Sequence, residues 1–274
     1  MADSLFTLCA DDFALSPAVS AGILEALAAR RLTAVSAMTN RPDWPRSALT
    51  LKAFEHQADI GLHLNLTLGT LLGAMPRLAA TGVFPTLRSL VGARLAQEEI
   101  AAEIARQLDA FAAAFGRPPD FIDGHQHVHA LPGVRGALFA ALDARRLGGR
   151  LWLRDSADGI ARILARGVEP AKASAVAILA WGFGRQARAR GFATNAGFAG
   201  FSAFDPARDY GRDFARYLQA PGPRHLVMCH PGRVDAELAA LDPVTTAREA
   251  ELAFLLSPAF GDTFAARLRR LTRS

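Results

Sequence analysis

The stretch Leu5-Phe6-Thr7-Leu8-Cys9-Ala10-Asp11-Asp12 is an apolar run closed by two carboxylates. It reads as a buried strand, over residues 5–10, that delivers polar groups at its end. Just beyond it, Ser16-Pro17 offers an N-cap and a first-turn proline for a helix over 17–30. The next strand is predicted over 33–39, and the alternation continues outward. Further strands are predicted over 59–66, 121–125, 150–154, 192–195 and 225–230. Helices are predicted over 44–56, 97–115, 133–146, most of 169–190, 206–219, 245–256 and 263–271. Gly116 and Pro118-Pro119 stop the helix over 97–115. Alternation of this kind, with about seven strands, predicts a parallel α/β sheet. The 274-residue length favours one domain over residues 1–274: an irregular (β/α) TIM-like barrel with outer helices. No glycine-rich dinucleotide or phosphate loop follows the first strand, which argues against an open nucleotide-binding sheet.

Composition removes several function classes. Hydrophobic residues make up 51% and charged residues 21%, the balance of a folded chain. Lys and Arg number 31 against 26 acids, for a net charge of +5. The lysines are Lys52 and Lys172 alone, and the arginines are scattered and interleaved with acids. The densest run, Arg267, Arg269, Arg270 and Arg273, falls at a C-terminus expected to fray. No nucleic-acid partner is expected from that distribution. The longest apolar run, residues 175–184, falls short of the roughly 20 residues that a membrane span needs. The N-terminus lacks a basic segment followed by an apolar one. Cys9 and Cys229 cannot make a disulfide framework. A cytoplasmic protein without a membrane partner is expected.

Polar residues gather at predicted strand ends. Asp11 and Asp12 follow the first strand, His63 lies in the third, and Arg154 ends the fifth. Asp123, His125, His127 and His129 follow the fourth, and His230-Pro231-Gly232 follows the last. In a parallel α/β protein these ends share one face. Adjacent carboxylates suit a division of labour between cation and proton, though Asp also favours turns and N-caps. Alternation puts Gly61, His63 and Asn65 on one strand face, where His63 serves as a ligand or as a hydrogen-bonded core residue. If the fourth strand continues, Asp123, His125 and His127 line one side. Imidazoles there suit a divalent metal, with the carboxylate fixing a tautomer. Spacing does not say which His binds and which supports. His230 beside a rigid turn suits acid–base work.

Ala10-Asp11-Asp12-Phe13-Ala14-Leu15-Ser16, Gly61-Leu62-His63-Leu64, Asp123-Gly124-His125-Gln126-His127-Val128-His129 and His230-Pro231-Gly232 together resemble the YdjC/ChbG carbohydrate deacetylase family. Asn195-Ala196-Gly197-Phe198-Ala199-Gly200 and the tail from Asp242 through Arg248 and Glu251 are also similar to family segments. The resemblance implies an irregular (β/α) barrel that hydrolyses an N-acetyl group from an amino sugar such as a chitooligosaccharide, and a homodimer. It implies one divalent metal, Mg2+ by the family's usual description and Zn2+ by ligand softness. By motif, Asp12, His63 and His125 are the metal ligands, Asp11 the base and His230 the proton donor. Arg154 orients Asp11 or binds substrate, and His127 and Asn195 bind substrate or support the site. Phe13, Trp44, Phe198 and Phe201 are candidates to stack on sugar rings, and Gln126 to bind a hydroxyl. Family members usually carry Gly where this chain has Ala14; a positive φ there costs Ala about 1 kcal/mol or more. Competing readings are a metal hydrolase of a non-sugar amide or ester, and a sugar-binding module without catalysis.

Overall fold

The computed structural model describes residues 4–79, 86–91 and 96–272. Its strands are β1 (Phe6–Phe13), β2 (Ala34–Ala37), β3 (Asp59–Leu64), β4 (Phe121–Gly124), β5 (Trp152–Leu153), β6 (Ala193–Thr194), β7 (Phe198–Ala199) and β8 (His225–Cys229). All pair in parallel, in the order β6-β5-β4-β3-β2-β1-β8-β7. Pairing thus follows the chain around a ring, and among the described residues only the ladder between β6 and β7 is missing. The result is a TIM-like (β/α) sheet curled on itself, with helices outside. No described helix is long and apolar enough to cross a membrane.

The strand period of two sorts side chains into two layers. Leu8, Ile60, Leu62, Ile122, Leu153 and Val227 face the helices. Cys9, Phe121, Trp152, Phe198, Leu226 and Met228 fill the inside of the curl. Phe121 and Trp152 stack there at 4.1 Å. Gly61 makes room for them, since an added Cβ would sit 2.5 Å from the Phe121 ring.

Most elements fall where periodicity predicts them. The helix Gln97–Phe115 ends at Gly116 with φ 83°, and Ser16 caps Pro17–Ala28 by accepting from the Val19 N–H. The segment expected to be mostly helical over 169–190 is two helices, Pro170–Leu179 and Phe183–Ala189, parted near Gly182 at φ 80°. No sequence pattern predicts the remaining strand, β7. Its two residues are too few for a period, and it lies between Gly197 and Gly200, both at positive φ. A Cβ on Gly200 would meet the Met228 carbonyl oxygen at 2.1 Å, so glycine permits β7 to lie against β8.

The C-terminus departs from expectation. In place of a helix over 263–271, Ser257 caps a helix at Pro258–Phe264, followed by a 3-10 turn, Ala265–Arg267. The chain then runs extended under the barrel, because β1 offers it backbone partners. Leu268 bridges Phe6, and the Arg269 N–H donates to the Phe6 carbonyl at 2.9 Å. Leu271 joins the inner core. The arginine run is therefore docked where fraying was expected: Arg267 donates to the Ser4 carbonyl and Arg269 to that of Pro223. Arg273 lies outside the described residues.

Buried Asp59 is the anchor. It accepts from Arg270 Nε at 2.6 Å, Thr272 Oγ1 at 2.6 Å, the Thr272 N–H at 3.2 Å and Trp152 Nε1 at 3.1 Å. Asp59→Ala leaves those donors without their acceptor and is expected to cost about 3 kcal/mol. The check is the urea midpoint; an unchanged value would show that the docked tail contributes nothing to stability.

Candidate metal centre

The site begins with an irregularity in β1. Ala10 pairs with Val35 and Phe13 with Ala37, so β1 carries one residue more than β2 over that interval, a β-bulge. Asp12 takes up the extra residue at φ 69°. An extended backbone would send Asp11 and Asp12 to opposite sides. The bulge brings both carboxylates into one polar cluster at the C-terminal ends of the strands. Ala14 also adopts φ 69°, at a cost of about 1–2 kcal/mol for a residue with a Cβ.

Asp12 Oδ1 lies 3.2 Å from His63 Nε2 and 3.0 Å from His125 Nδ1. The three donor atoms are all within 4.8 Å of one another. Ligand atoms about 2.1 Å from a shared ion stand about 3.0–3.4 Å apart at right-angled to tetrahedral spacing, so these residues fit one divalent cation. The outer contacts suit the same purpose. His63 Nδ1 faces Asp123 Oδ1 at 2.7 Å, and the Ser36 hydroxyl donates to that same oxygen. An Nδ1–H held this way leaves Nε2 as the nitrogen that would ligate an ion shared with Asp12 once its own proton is lost. The second oxygen of Asp12 accepts from Arg248 Nη2 at 2.8 Å, which also reaches Asp242 at 2.7 Å. Oδ1 is thus the oxygen left facing the imidazoles.

The charges are tightly balanced. Burial disfavours an ionised Asp12, yet Arg248 and His125 outweigh it and hold its carboxyl well below the usual carboxylate range. Burial likewise opposes charge on His63, but Asp123 and hydrogen bonds to Asp12 and Asp123 raise its pKa to about 10. A proton on His63 and a cation beside it are alternatives, so a divalent ion bound there would displace a proton.

A second group, Cys9, Asp11 and Asp123, also has metal-like spacing. A guanidinium fills it. Arg154 grips Asp11 with two bonds of 2.6 Å, pairs with Asp123 and donates to Cys9 Sγ at 3.1 Å.

The three clustered histidines part ways because β4 stops at Gly124. Residues His125–Ala130 form a 3-10 segment, with Gln126 at φ 51° and His127 at φ 59°. The continuing strand, with Asp123, His125 and His127 along one side, is therefore not formed. His125 turns to Asp12. His127 Nδ1 is 3.2 Å from Ser156 Oγ, with its ring against Phe198 and Phe201. His129 Nε2 donates to the Arg154 carbonyl at 2.8 Å. Asn195 is 1% exposed, and its amide is spent on Asp155 and Gly197, so it ties strand ends together. Phe13, Trp44, Phe198 and Phe201 are at most 4% exposed and belong to the core, which removes them as sugar platforms.

His230 follows β8 and is half-buried. Burial, only partly offset by Asp12 and Asp11, lowers its pKa to about 4. Its backbone N–H donates to Glu251 Oε2 at 2.6 Å, and burial lifts the Glu251 pKa to about 7.

The sequence profile of the YdjC-like protein family matches residues 5–266. The chain belongs to that family. This YdjC-like chain is 35% identical over 153 residues to a chitooligosaccharide deacetylase of Serratia marcescens, covering 54% of this chain and 60% of the relative. It is 37% identical over 136 residues to the enzyme of that name from Yersinia pestis, covering 48% and 53%. The chain thus spans little more than half the length of these relatives. A crystal structure of a provisionally named cellobiose-phosphate cleavage protein from Enterococcus faecalis covers 98% of both chains, with TM-score 0.75 and 21% identity; that likeness is one of fold.

In this YdjC-like site, Ser36 and Arg248 are contributors that residue patterns did not single out as site residues. Ser36 carries a signal, a hydroxyl inside an apolar strand. Arg248 sits in the helix Thr246–Leu256, and nothing local separates it from a surface arginine.

Proposed function

We propose that this chain is a metal-dependent hydrolase that removes the N-acetyl group from an amino sugar of the chitooligosaccharide class, releasing acetate. The observation that carries the reading is the convergence of Asp12, His63 and His125 donor atoms beside Asp11 at the strand ends. The names of the relatives supply the substrate class. In this proposal Asp12, His63 and His125 hold one divalent ion, Mg2+ or Zn2+. When bound, that ion polarises the acyl carbonyl and acidifies water.

The chain's own residues do the rest. Asp11 takes the proton of the attacking water while Arg154, gripping both its oxygens, fixes its aim. The C–N bond breaks as the tetrahedral stage collapses, and the nitrogen leaves with a proton from His230. At pH 7 His230 rests neutral, given its pKa of about 4. The proton it gives is therefore one first taken up as negative charge builds beside it, and the proton that Asp11 draws from the attacking water balances that uptake.

The test joins metal analysis of the purified protein to acetate release from N-acetylated chitooligosaccharides, acetylated polyamines and acyl esters. About one bound divalent ion per chain and preference for the sugar amides is the expected outcome. Preference for an ester without an amino sugar would replace the substrate class. Sugar binding without acetate release, even with added metal, would replace the enzyme.

A further inference from the structure

We propose that Phe204 is the apolar platform for the pyranose ring whose nitrogen is freed, held in place by Lys172. The inference rests on the deacetylase reading and names a binding residue for it. Phe204 is half-buried. Its ring centroid is 5.1 Å from that of His230, at 81° between planes. A departing nitrogen must come within about 3 Å of the imidazole to receive its proton. The sugar ring carrying that nitrogen then occupies the space that Phe204 borders. Pyranose rings present C–H faces, which an aromatic side chain in a binding cleft can cover.

The backbone shows that the ring is held there against a conformational preference. Phe204 has φ 55°, a genuine outlier for a bulky side chain, of the kind that persists where surrounding structure over-determines it. That surrounding structure is visible. The Phe204 N–H donates to Ser202 Oγ at 3.0 Å. Lys172 donates to the Ser202 carbonyl at 3.2 Å and sets its ammonium 4.5 Å from the Phe204 ring centroid, a cation–π contact. Lys172 lies in the helix Pro170–Leu179, within the long excursion between β5 and β6. That excursion thereby reaches across to the mouth beside β8.

The experiment measures acetate release from di-N-acetylchitobiose by the metal-loaded full chain, alongside saturation-transfer NMR of the same sugar with metal-free protein. Phe204→Ala is expected to raise KM about tenfold, equivalent to about 1.4 kcal/mol, with kcat and the pH profile kept. Phe204→Trp is expected to restore KM, and Lys172→Met to raise it by a smaller factor. Phe204→Gly removes the ring while easing the backbone, so it reports ring loss if the alanine variant folds poorly. An unchanged KM in both Ala and Gly variants overturns the proposal. So does a fall in kcat with a shifted pH profile at constant KM, which would make Phe204 a shield for His230. If wild type binds the sugar by NMR but releases no acetate, the deacetylase reading fails, and loss of the NMR signal in Phe204→Ala still supports the platform.

Discussion

Asp12→Asn is expected to lower metal affinity by at least 10–100-fold and acetate release by about 10³-fold or more. The substitution keeps the side chain's size and removes its charge. Asp12 Oδ1 is the common neighbour of His63 Nε2 and His125 Nδ1, so a neutral amide there leaves two imidazoles without the anion that completes the ligand set. Arg248 also loses a partner at 2.8 Å, which makes a circular dichroism check of folding part of the measurement. His63→Gln and His125→Gln belong to the same class. Asp11→Asn belongs to another. Its carboxylate faces Arg154 and is not one of the three proposed ligands, so metal is expected to stay while rate falls about 10²–10⁴-fold. Calorimetric metal titration and elemental analysis separate the classes. A full metal complement in Asp12→Asn would end the proposed assignment of ligands.

Acidification is expected to unfold the protein between pH 6.5 and 4. His129 and His225 are fully buried. Burial pushes each down to about 4 from an ordinary value of 6.5. Between those values the unfolded chain binds protons that the folded chain refuses, so stability falls as pH falls through the window. At 1.36 kcal/mol per pH unit each group removes about 3 kcal/mol by pH 4. His230, also at about 4, adds a third. Glu251, raised to about 7, contributes stability on acidification and offsets one of them. The net loss of about two such groups is a large share of a typical stability of about 5–15 kcal/mol. His63 works in the opposite sense. Its contribution is complete below pH 6.5 and fades as pH rises toward about 10. The metal-free protein is therefore expected to be most stable near neutrality. His225 isolates the effect because it starts β8, far from the strand ends that carry the site, and donates from Nε2 to the Tyr217 carbonyl at 2.9 Å. His225→Gln is expected to flatten the slope of denaturation midpoint against pH by about one proton. An equal slope in variant and wild type would count against the buried neutral imidazole.

What the sequence discloses depends on the range of the interaction. The parallel barrel is legible because hydrophobic period and turn chemistry are local, and β1, β3, β4 and β8 each carry enough residues to show them. β7 is invisible because its pairing with β8 rests on a close approach at Gly200 and not on a pattern. Asp11, Asp12, His63, Arg154 and His230 stand out as polar residues at the ends of apolar runs. Their aim does not. The β1 bulge turns two neighbours into one cluster, and the 3-10 segment at His125 divides three evenly spaced histidines among three partners. Arg248 meets Asp12 across 236 positions, and Arg270 meets Asp59 across 211. No local rule reports contacts at such separation. Nothing in the sequence separates Phe204 from the core aromatics Phe13, Trp44, Phe198 and Phe201, because exposure is a property of the folded surface.

The docked C-terminal segment imposes an order on biosynthesis. Of the strands described β1 is translated before the rest, yet its neighbours are β2, β8 and Leu268. At about 5–20 residues per second, roughly ten to fifty seconds separate translation of the first strand from that of the segment beneath it. Through that interval one edge of β1 has no permanent neighbour, and an unpaired edge invites association with other chains. Until those late, long-distance contacts close, the nascent polypeptide carries an open edge, and association between sibling chains competes with its folding.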